Sequence, residues 1–198
     1  MDLKARVQGI LLKPKEEWEK IKEETYPVPQ LFSSYVLILA AIPAVAQFIG
    51  NWLIGQRIPF YGTYRQGFGP GLLRAILFYG MTLLSVYVLG FIINSLAGSF
   101  ASRQDQLSAM KLAVYGQTPM WIAGALYIIP ALGVLAPLIS LYGIYLMYLG
   151  LAAGLMETPK DKVITYLVVI IVVTFVLMFA ISIVLSAIFA VGVGISAI

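Results

Sequence analysis

The 198-residue sequence contains no cysteine and no histidine. Their absence excludes disulfide bonds, thiolate nucleophiles, imidazole acid–base catalysis and haem ligation by either residue. The nine Asp and Glu residues all lie outside the middle of the long apolar runs, so the chain lacks the mid-membrane carboxylate of a proton- or cation-coupled pump. No histidine, cysteine or embedded carboxylate is present to activate a serine. We therefore predict that the protein is not an enzyme and holds no metal or cofactor.

Hydrophobic residues are abundant, at 61% of the chain, and the mean hydropathy is +0.93. Five long apolar runs follow one another from Leu31 onward, and a helix needs roughly 20 apolar residues to cross a bilayer. The pattern predicts an all-α polytopic membrane protein with one transmembrane domain, residues 31–198. Its five transmembrane helices are predicted at about 31–54, 72–96, 107–128, 135–156 and 163–191.

The first 30 residues differ from the rest because they are rich in charge. We predict a cytoplasmic amphipathic arm, residues 1–30, with one short helix before Pro14 and a second that starts there. Trp18, Lys13 and Lys15 are predicted to anchor the arm at the membrane interface, because Trp prefers the headgroup region and Lys attracts anionic lipid. Two alternatives are an arm whose Trp18 packs against the bundle, and a helix dedicated to binding a partner.

The basic residues predict the orientation of the chain. Of its 13 Lys and Arg residues, all except Arg57, Arg65 and Arg74 fall on the side of the N-terminus. The positive-inside rule then places the N-terminus in the cytoplasm and the C-terminus on the opposite side. The three remaining arginines are candidate contacts for an anion or a lipid headgroup. For Arg74 we favour snorkelling from the end of the second span.

The third span contains a polar cluster around a proline. Pro119 frees the carbonyl of Tyr115 and should kink the helix, and in lipid that carbonyl needs a partner inside the bundle. The polar groups therefore have a structural explanation, although the same groups could also line a ligand or lipid cavity. The candidate ligand residues are Tyr115, Gln117, Thr118, Pro119, Asn94, Tyr142 and Tyr145.

Gly150 and Gly154 form a GxxxG motif in the fourth span, which permits close approach of two helices. We favour packing within the bundle over a dimer face. The expected partners are membrane lipids and other proteins, in a homo- or hetero-oligomer. Nucleic acid is not expected, because the basic residues already have a use in topology.

Several motifs resemble prokaryotic Yip1-domain proteins in the same order. They are the segment 10–21 (ILLKPKEEWEKI), Tyr115-x-x-x-Pro119, the Pro130–Gly133 turn and the segment 141–151 of the fourth span. The resemblance implies five transmembrane helices and a cytoplasmic N-terminus. Eukaryotic relatives reside in Golgi and endoplasmic reticulum membranes and are associated with Rab GTPases and vesicle trafficking. This chain has a short arm and lacks their Asp-Leu-x-Gly-Pro element, which favours a prokaryotic plasma membrane without Rab binding.

Two functions follow as hypotheses. The first is a non-enzymatic membrane protein that organises or recruits partners, or affects membrane shape or trafficking. The alternative is a lipid-handling protein, or a transporter of a small solute or ion, with a polar site at the kinked third helix. The alternative predicts a continuous polar groove lined by Tyr115, Gln117 and Asn94, whereas the first hypothesis predicts a closed bundle.

Overall fold

The structure is a computed structural model that describes residues 2–58, 60 and 62–195 of the chain. It confirms the prediction of an all-α polytopic membrane protein. The α-helices are α1 (Leu3–Leu12), α2 (Pro14–Glu23), α3 (Val28–Leu31), α4 (Leu37–Ile49), α5 (Phe68–Leu96), α6 (Gln106–Gly116), α7 (Thr118–Ala123), α8 (Leu135–Ser140), α9 (Tyr142–Ala152) and α10 (Val163–Ile195).

Four helical stretches in the described part of the chain are long and apolar enough to cross a membrane. They are Val28–Ile54, Phe68–Phe100, Leu135–Ala152 and Val163–Val184. In the first, a π-helical turn, Phe32–Val36, joins α3 to α4, and a second, Gly50–Ile54, follows the end of α4. These stretches correspond to the predicted first, second, fourth and fifth spans, since apolar length alone identifies a helix that a bilayer can accommodate.

The predicted third span is not one continuous helix. Residues 107–128 form α6, then α7, then a 3₁₀-helix, Gly124–Ile128. The break falls at Gln117, two residues before Pro119, because proline has no N–H to donate to the preceding turn. Every residue of α6 from Ser108 to Gly116 is buried. The segment therefore forms the centre of the bundle.

The fourth span is also interrupted, at Leu141 between α8 and α9. Helix α9 ends at Ala152 rather than near Met156, because Gly154 has a φ of 78°, a left-handed conformation that commonly terminates helices. Helix α10 is longer than the predicted fifth span. The predicted position of the C-terminus concerns residues 196–198, which lie outside the described residues.

A short hairpin joins the first two spans, where the sequence indicated only a loop. Strands β1 (Gln56–Ile58) and β2 (Gly62–Tyr64) are antiparallel, with Arg57 opposite Thr63. Strands of three residues give too short a pattern to be recognised in sequence. The arm precedes the 27-residue stretch Val28–Ile54 and the hairpin follows it, so the first and last residues of that stretch lie about 40 Å apart along the helix. We call these two ends of the bundle the arm end and the hairpin end.

Close backbone contact joins the broken third span to α9. A Cβ added to Gly143 would lie 2.3 Å from the carbonyl oxygen of Gly116, a distance that no real side chain tolerates. A Cβ added to Gly80 in α5 would meet nothing within 4 Å. Both glycines are helical, but only at Gly143 does the packing exclude a side chain.

We expect Gly143→Ala to destabilise the protein by about 1–3 kcal/mol, because the methyl group must push α6 and α9 apart. Gly80→Ala is the matched control and should be neutral or slightly stabilising, since alanine favours helix. Thermal unfolding of both variants in detergent checks the difference. Equal midpoints would contradict the close contact.

The orientation can be checked by labelling, because the chain has no native cysteine. Thr63 and Glu19 are both exposed, in the hairpin and in α2 respectively. We expect Thr63→Cys to react with an impermeant maleimide added outside intact cells, and Glu19→Cys to react only after lysis. The opposite result would reverse the predicted topology.

Candidate functional site

Tyr115 connects the arm to the bundle. Its side chain is fully buried, and its ring makes edge-on contacts with Trp18 and Tyr35 at centroid distances of 6.0 and 5.0 Å. Its hydroxyl lies 3.0 Å from the hydroxyl of Tyr26, whose pKa is raised by burial, so Tyr26 stays protonated. The Arg6 guanidinium lies 5.7 Å from the Tyr115 ring centroid. Tyr115 therefore belongs to the contact between the arm and the bundle, and it lines neither of the two cavities described below.

The predicted interfacial position of Trp18 is wrong. Trp18 is fully buried inside the protein, against α6 and α9. A Cβ on Gly150 would lie 2.9 Å from the indole ring and 2.8 Å from Leu112, so the missing side chain of Gly150 makes room for both. This is the packed-arm alternative. Lys13 and Lys15 are exposed, and their contact with lipid stays a prediction.

The GxxxG glycines do not act as a pair. Gly150 receives Trp18 from the arm, as the preferred interpretation of packing within the protein suggested. Gly154 lies beyond the end of α9 and adopts its left-handed conformation at the turn. A dimer through this motif is not compatible with Trp18 occupying the groove at Gly150.

Two carboxylate–guanidinium contacts of Arg6, one buried and one partly buried, hold the arm helices together. Arg6 and Glu17 are each 6% exposed, and their side chains form an ion pair of 2.7 Å. Arg6 also pairs with Glu24. Burial alone would lower the pKa of Arg6, but the carboxylates of Glu24 and Glu17 help to raise it above its ordinary value, so the guanidinium stays charged. The pairing offsets the desolvation of these groups.

Lys111 of α6 fastens α2 to the bundle. Its side chain is 2% exposed, and its ammonium donates to the carbonyl of Ile21 at 2.6 Å and to that of Glu24. These carbonyls lie at the C-terminal end of α2, where a cation is favoured by the helix dipole. The same ammonium lies 5.2 Å from the ring centroid of Tyr26. A lysine in an apolar run therefore has a structural use.

Tyr142, Tyr145 and Asn94 do not join the predicted ligand cluster. Tyr142 donates its hydroxyl to the carbonyl of Leu11 at 3.1 Å and so also holds the arm. Tyr145 is 42% exposed, with its ring 5.6 Å from that of Tyr142. Asn94 lies in α5, and its side-chain oxygen is buried without a hydrogen-bond partner among the described residues. None of the three lines a cavity with Gln117.

Thr118 and Pro119 have structural roles at the break in the third span. Thr118 is fully buried and its hydroxyl lies 2.8 Å from that of Tyr35. Pro119 lies in the first turn of α7, where its missing N–H is tolerated. Of the predicted cluster, Gln117 alone lines the two cavities that meet at the break.

The larger cavity has a volume of about 410 Å³. It lies between the third span, the α8–α9 stretch and α10. Most of its lining is hydrocarbon, with polar groups from Gln117, Tyr127, Ser140 and Thr174.

The smaller cavity has a volume of about 280 Å³ and lies between α4, α5, α7 and α10. Its lining includes Arg74 and Gln47 together with several hydroxyl groups. The two cavities share Gln117, Met120 and Met178 as lining residues. They therefore adjoin each other at the break in the third span.

The three arginines of the predicted headgroup site are separated. Arg74 is the seventh residue of α5, about 9 Å from its start, and lines the smaller cavity. Arg57 and Arg65 lie in and after the hairpin, are exposed, and line neither cavity. Arg65 donates to the carbonyl of Ile54 at 3.5 Å.

Sequence reasoning missed the charged groups that hold the arm and the presence of Arg74 and Gln47 in the lining of one cavity. Lys111 carried a usable signal, because a charge inside an apolar run is costly unless it has partners. For Arg6 and Glu17 no such signal exists, since charges are ordinary in an amphipathic helix.

These features define the class of protein: a polytopic helical membrane protein whose N-terminal arm packs on its transmembrane bundle. The sequence model of the Yip1 domain matches residues 9–195, and the chain belongs to this family, as the resemblance implied. Two relatives called Inner membrane protein YohC, from Escherichia coli (strain K12) and Escherichia coli O6:H1 (strain CFT073), are each 32% identical over 154 residues. Each alignment covers 76% of this chain and 79% of the relative. No solved structure matches the chain.

We expect Arg6→Met to release the arm, because it leaves the buried Glu17 without its main partner. Removing one member of a buried ion pair costs about 3–5 kcal/mol. Digestion with a glutamate-specific protease should cut the arm of this variant several times faster than that of the unaltered protein.

Lys13→Met is the matched control. It breaks an exposed ion pair with Glu16, at 3.7 Å, which is worth about 0–1 kcal/mol. If both variants are digested at the same rate, the buried pair does not hold the arm.

Proposed function

We propose that the protein is a non-enzymatic organiser that recruits partners at one face of the membrane through its docked arm. The observation that carries this proposal is that the arm is ordered in advance. One side of α1 and α2 is buried against the bundle by the contacts of Arg6, Trp18 and Ile21. A surface that is already rigid loses less conformational entropy when a partner binds.

The other side of the arm is available for contact. Leu12, at the junction of α1 and α2, is 77% exposed, and Lys13 and Lys15 beside it are exposed as well. Leu12 offers a partner an exposed apolar side chain, and the two lysines beside it attract an acidic partner or an anionic membrane surface. Leu12 therefore takes the place that the sequence suggested for Trp18, as the apolar contact of the arm with a partner or a membrane surface.

The transport alternative receives less support. It requires a polar groove shared by Tyr115, Gln117 and Asn94, yet of these three only Gln117 lines the two cavities. The relatives' name, Inner membrane protein, supports the further proposal that this chain resides in a prokaryotic inner membrane with its arm in the cytoplasm.

The variant Leu12→Ser/Lys13→Glu/Lys15→Glu tests this proposal. It changes exposed side chains alone, so the arm should stay docked and the melting midpoint unchanged. Partners recovered after crosslinking in intact membranes should fall severalfold, because the contact surface loses its apolar group and inverts its charge.

Lys160→Glu/Lys162→Glu is the control, because it makes the same two charge reversals in the loop before α10. Recovery from this variant should match that of the unaltered protein. Equal recovery from both variants, at whatever level, would contradict recruitment through the arm.

A further inference from the structure

We infer that the two adjoining cavities form one binding site for an anionic phospholipid, with its phosphate at Arg74 and an acyl chain in the larger cavity. The inference does not depend on the proposed function of the arm, because no described residue of the arm lines either cavity. It rests on the charge of the smaller cavity, the composition of the larger one and the residues that they share.

The smaller cavity is built for an anion. Arg74 supplies a positive charge within a membrane-crossing helix, near the start of that helix, where its side chain is exposed; an ionisable residue inside a membrane span is a functional-site hypothesis by default. The amide groups of Gln47 and Gln117 add hydrogen-bond donors to the same lining. No carboxylate occurs among the described residues that line this cavity. A guanidinium beside neutral donors matches the geometry of a phosphate group.

The larger cavity is suited to hydrocarbon. Its volume of about 410 Å³ lies within the range of about 300–1,000 Å³ that is usual for ligand sites. Two of its lining residues, Leu138 of α8 and Phe175 of α10, are each 61% exposed on the outside of the bundle. The cavity therefore opens between these helices toward the surrounding lipid. In a bilayer the medium at such an opening is acyl chain rather than water.

The shared residues connect the two halves into a site for one amphipathic molecule. Gln117, Met120 and Met178 line both cavities, so no intervening element separates the polar part from the apolar part. Methionine is unbranched and adapts its shape to an irregular ligand. Gln117, at the break in the third span, stands at the junction where the glycerol esters of a lipid would lie between phosphate and chain.

The depth of the site agrees with a lipid entering from the leaflet at the hairpin end. Arg74 lies about 9 Å from the start of α5, which is within reach of the headgroup region for a long side chain. The larger cavity includes Tyr127 and Ala136, which flank the Pro130–Leu132 turn that contacts β1. A free anion would use the smaller cavity alone and would leave the apolar cavity without a role.

Native mass spectrometry of the full-length chain, stripped of lipid in mild detergent, tests the inference. The probes are dioleoyl phosphatidylglycerol, dioleoylglycerol with the same chains but no phosphate, and inorganic phosphate. We expect the phospholipid to bind and to raise the melting midpoint, while the other two probes bind at least about tenfold more weakly. Equal binding of dioleoylglycerol overturns the role of the phosphate. If inorganic phosphate raises the melting midpoint as much as the phospholipid does, the assignment of a lipid as the ligand is wrong.

Two variants address the two halves of the site. Arg74→Gln should weaken phospholipid binding about tenfold, and Arg74→Lys should restore part of it, because the charge returns without the guanidinium geometry. Thr174→Phe should also weaken binding, because its ring fills the larger cavity, which Thr174 lines. Should Thr174→Phe fail to fold, the comparison of Arg74→Gln with Arg74→Lys decides the outcome.

Matched controls are available for each variant. Arg57→Gln removes an exposed arginine of the hairpin, and Val172→Phe enlarges a residue of α10 that is 55% exposed and lines neither cavity. Both controls should bind phospholipid like the unaltered protein. Unchanged binding by Arg74→Gln, or an equal loss in Arg57→Gln, overturns the assignment of the phosphate to the smaller cavity.

Discussion

The missing N–H of Pro119 is the constraint on which the rest of the structure depends. In lipid an unpaired carbonyl has no water to bind, so a helix must either bend around a proline or stop before it. Here helix α6 ends before Gln117, and a second helix, α7, begins after it. The stop keeps α6 short enough to be buried along its length, and it leaves beyond it the space that the two cavities occupy.

The buried α6 then determines how the arm is held. Because α6 is covered on all sides, its Lys111 and Tyr115 do not face lipid but contact the arm. Lys111 donates hydrogen bonds to the carbonyls of Ile21 and Glu24. The ring of Tyr115 packs against the ring of Trp18. The arm in turn gives α6 part of its cover. The bundle and the arm are therefore parts of one core, which runs continuously from Ile10 to Ile170.

The charged side chains at this interface determine how the arm helices are arranged more than they add to the free energy of unfolding. Buried ion pairs cost desolvation that their attraction roughly offsets. The Arg6–Glu17 pair nevertheless fixes α1 against α2 in one arrangement, which apolar contacts alone specify less strictly. At the hairpin end, Arg74 lines the smaller cavity together with neutral polar side chains such as Gln47 and Gln117.

The sequence located four of the membrane-spanning helices, but it did not indicate which side chains the fold brings together, and both results have physical reasons. Apolar length identifies a membrane helix because the bilayer has a fixed thickness, and Pro119 marked the break because a missing donor is a local property. The position of Trp18 could not be read in the same way. An amphipathic pattern shows that one side of a helix avoids water, but it does not show whether lipid or protein covers that side. The same ambiguity affected Gly150, whose small size suits a neighbouring helix and an indole ring equally.

The structure separates most of the candidate ligand residues for a related reason. Tyr115, Tyr142 and Asn94 are polar groups in apolar runs, and their burial is expected, but a sequence does not say which helices surround them. Gln117 and Arg74 line a common cavity because the break at Pro119 and the course of α10 bring them together. That proximity depends on tertiary packing between residues about 40 positions apart.

The way the arm is attached has a consequence for the biogenesis of the protein. The hydrogen bonds that hold the arm join residues far apart in sequence: Lys111 lies 90 residues from Ile21, and Tyr142 lies 131 residues from Leu11. The arm leaves the ribosome before the third and fourth segments, yet its receptor does not exist until those segments have entered the membrane. At the usual rates of about 5–20 residues per second the arm spends several seconds undocked, with Trp18 and the Arg6 ion pairs in water. The arm is therefore synthesised before the segments that hold it and reaches its final place only after them.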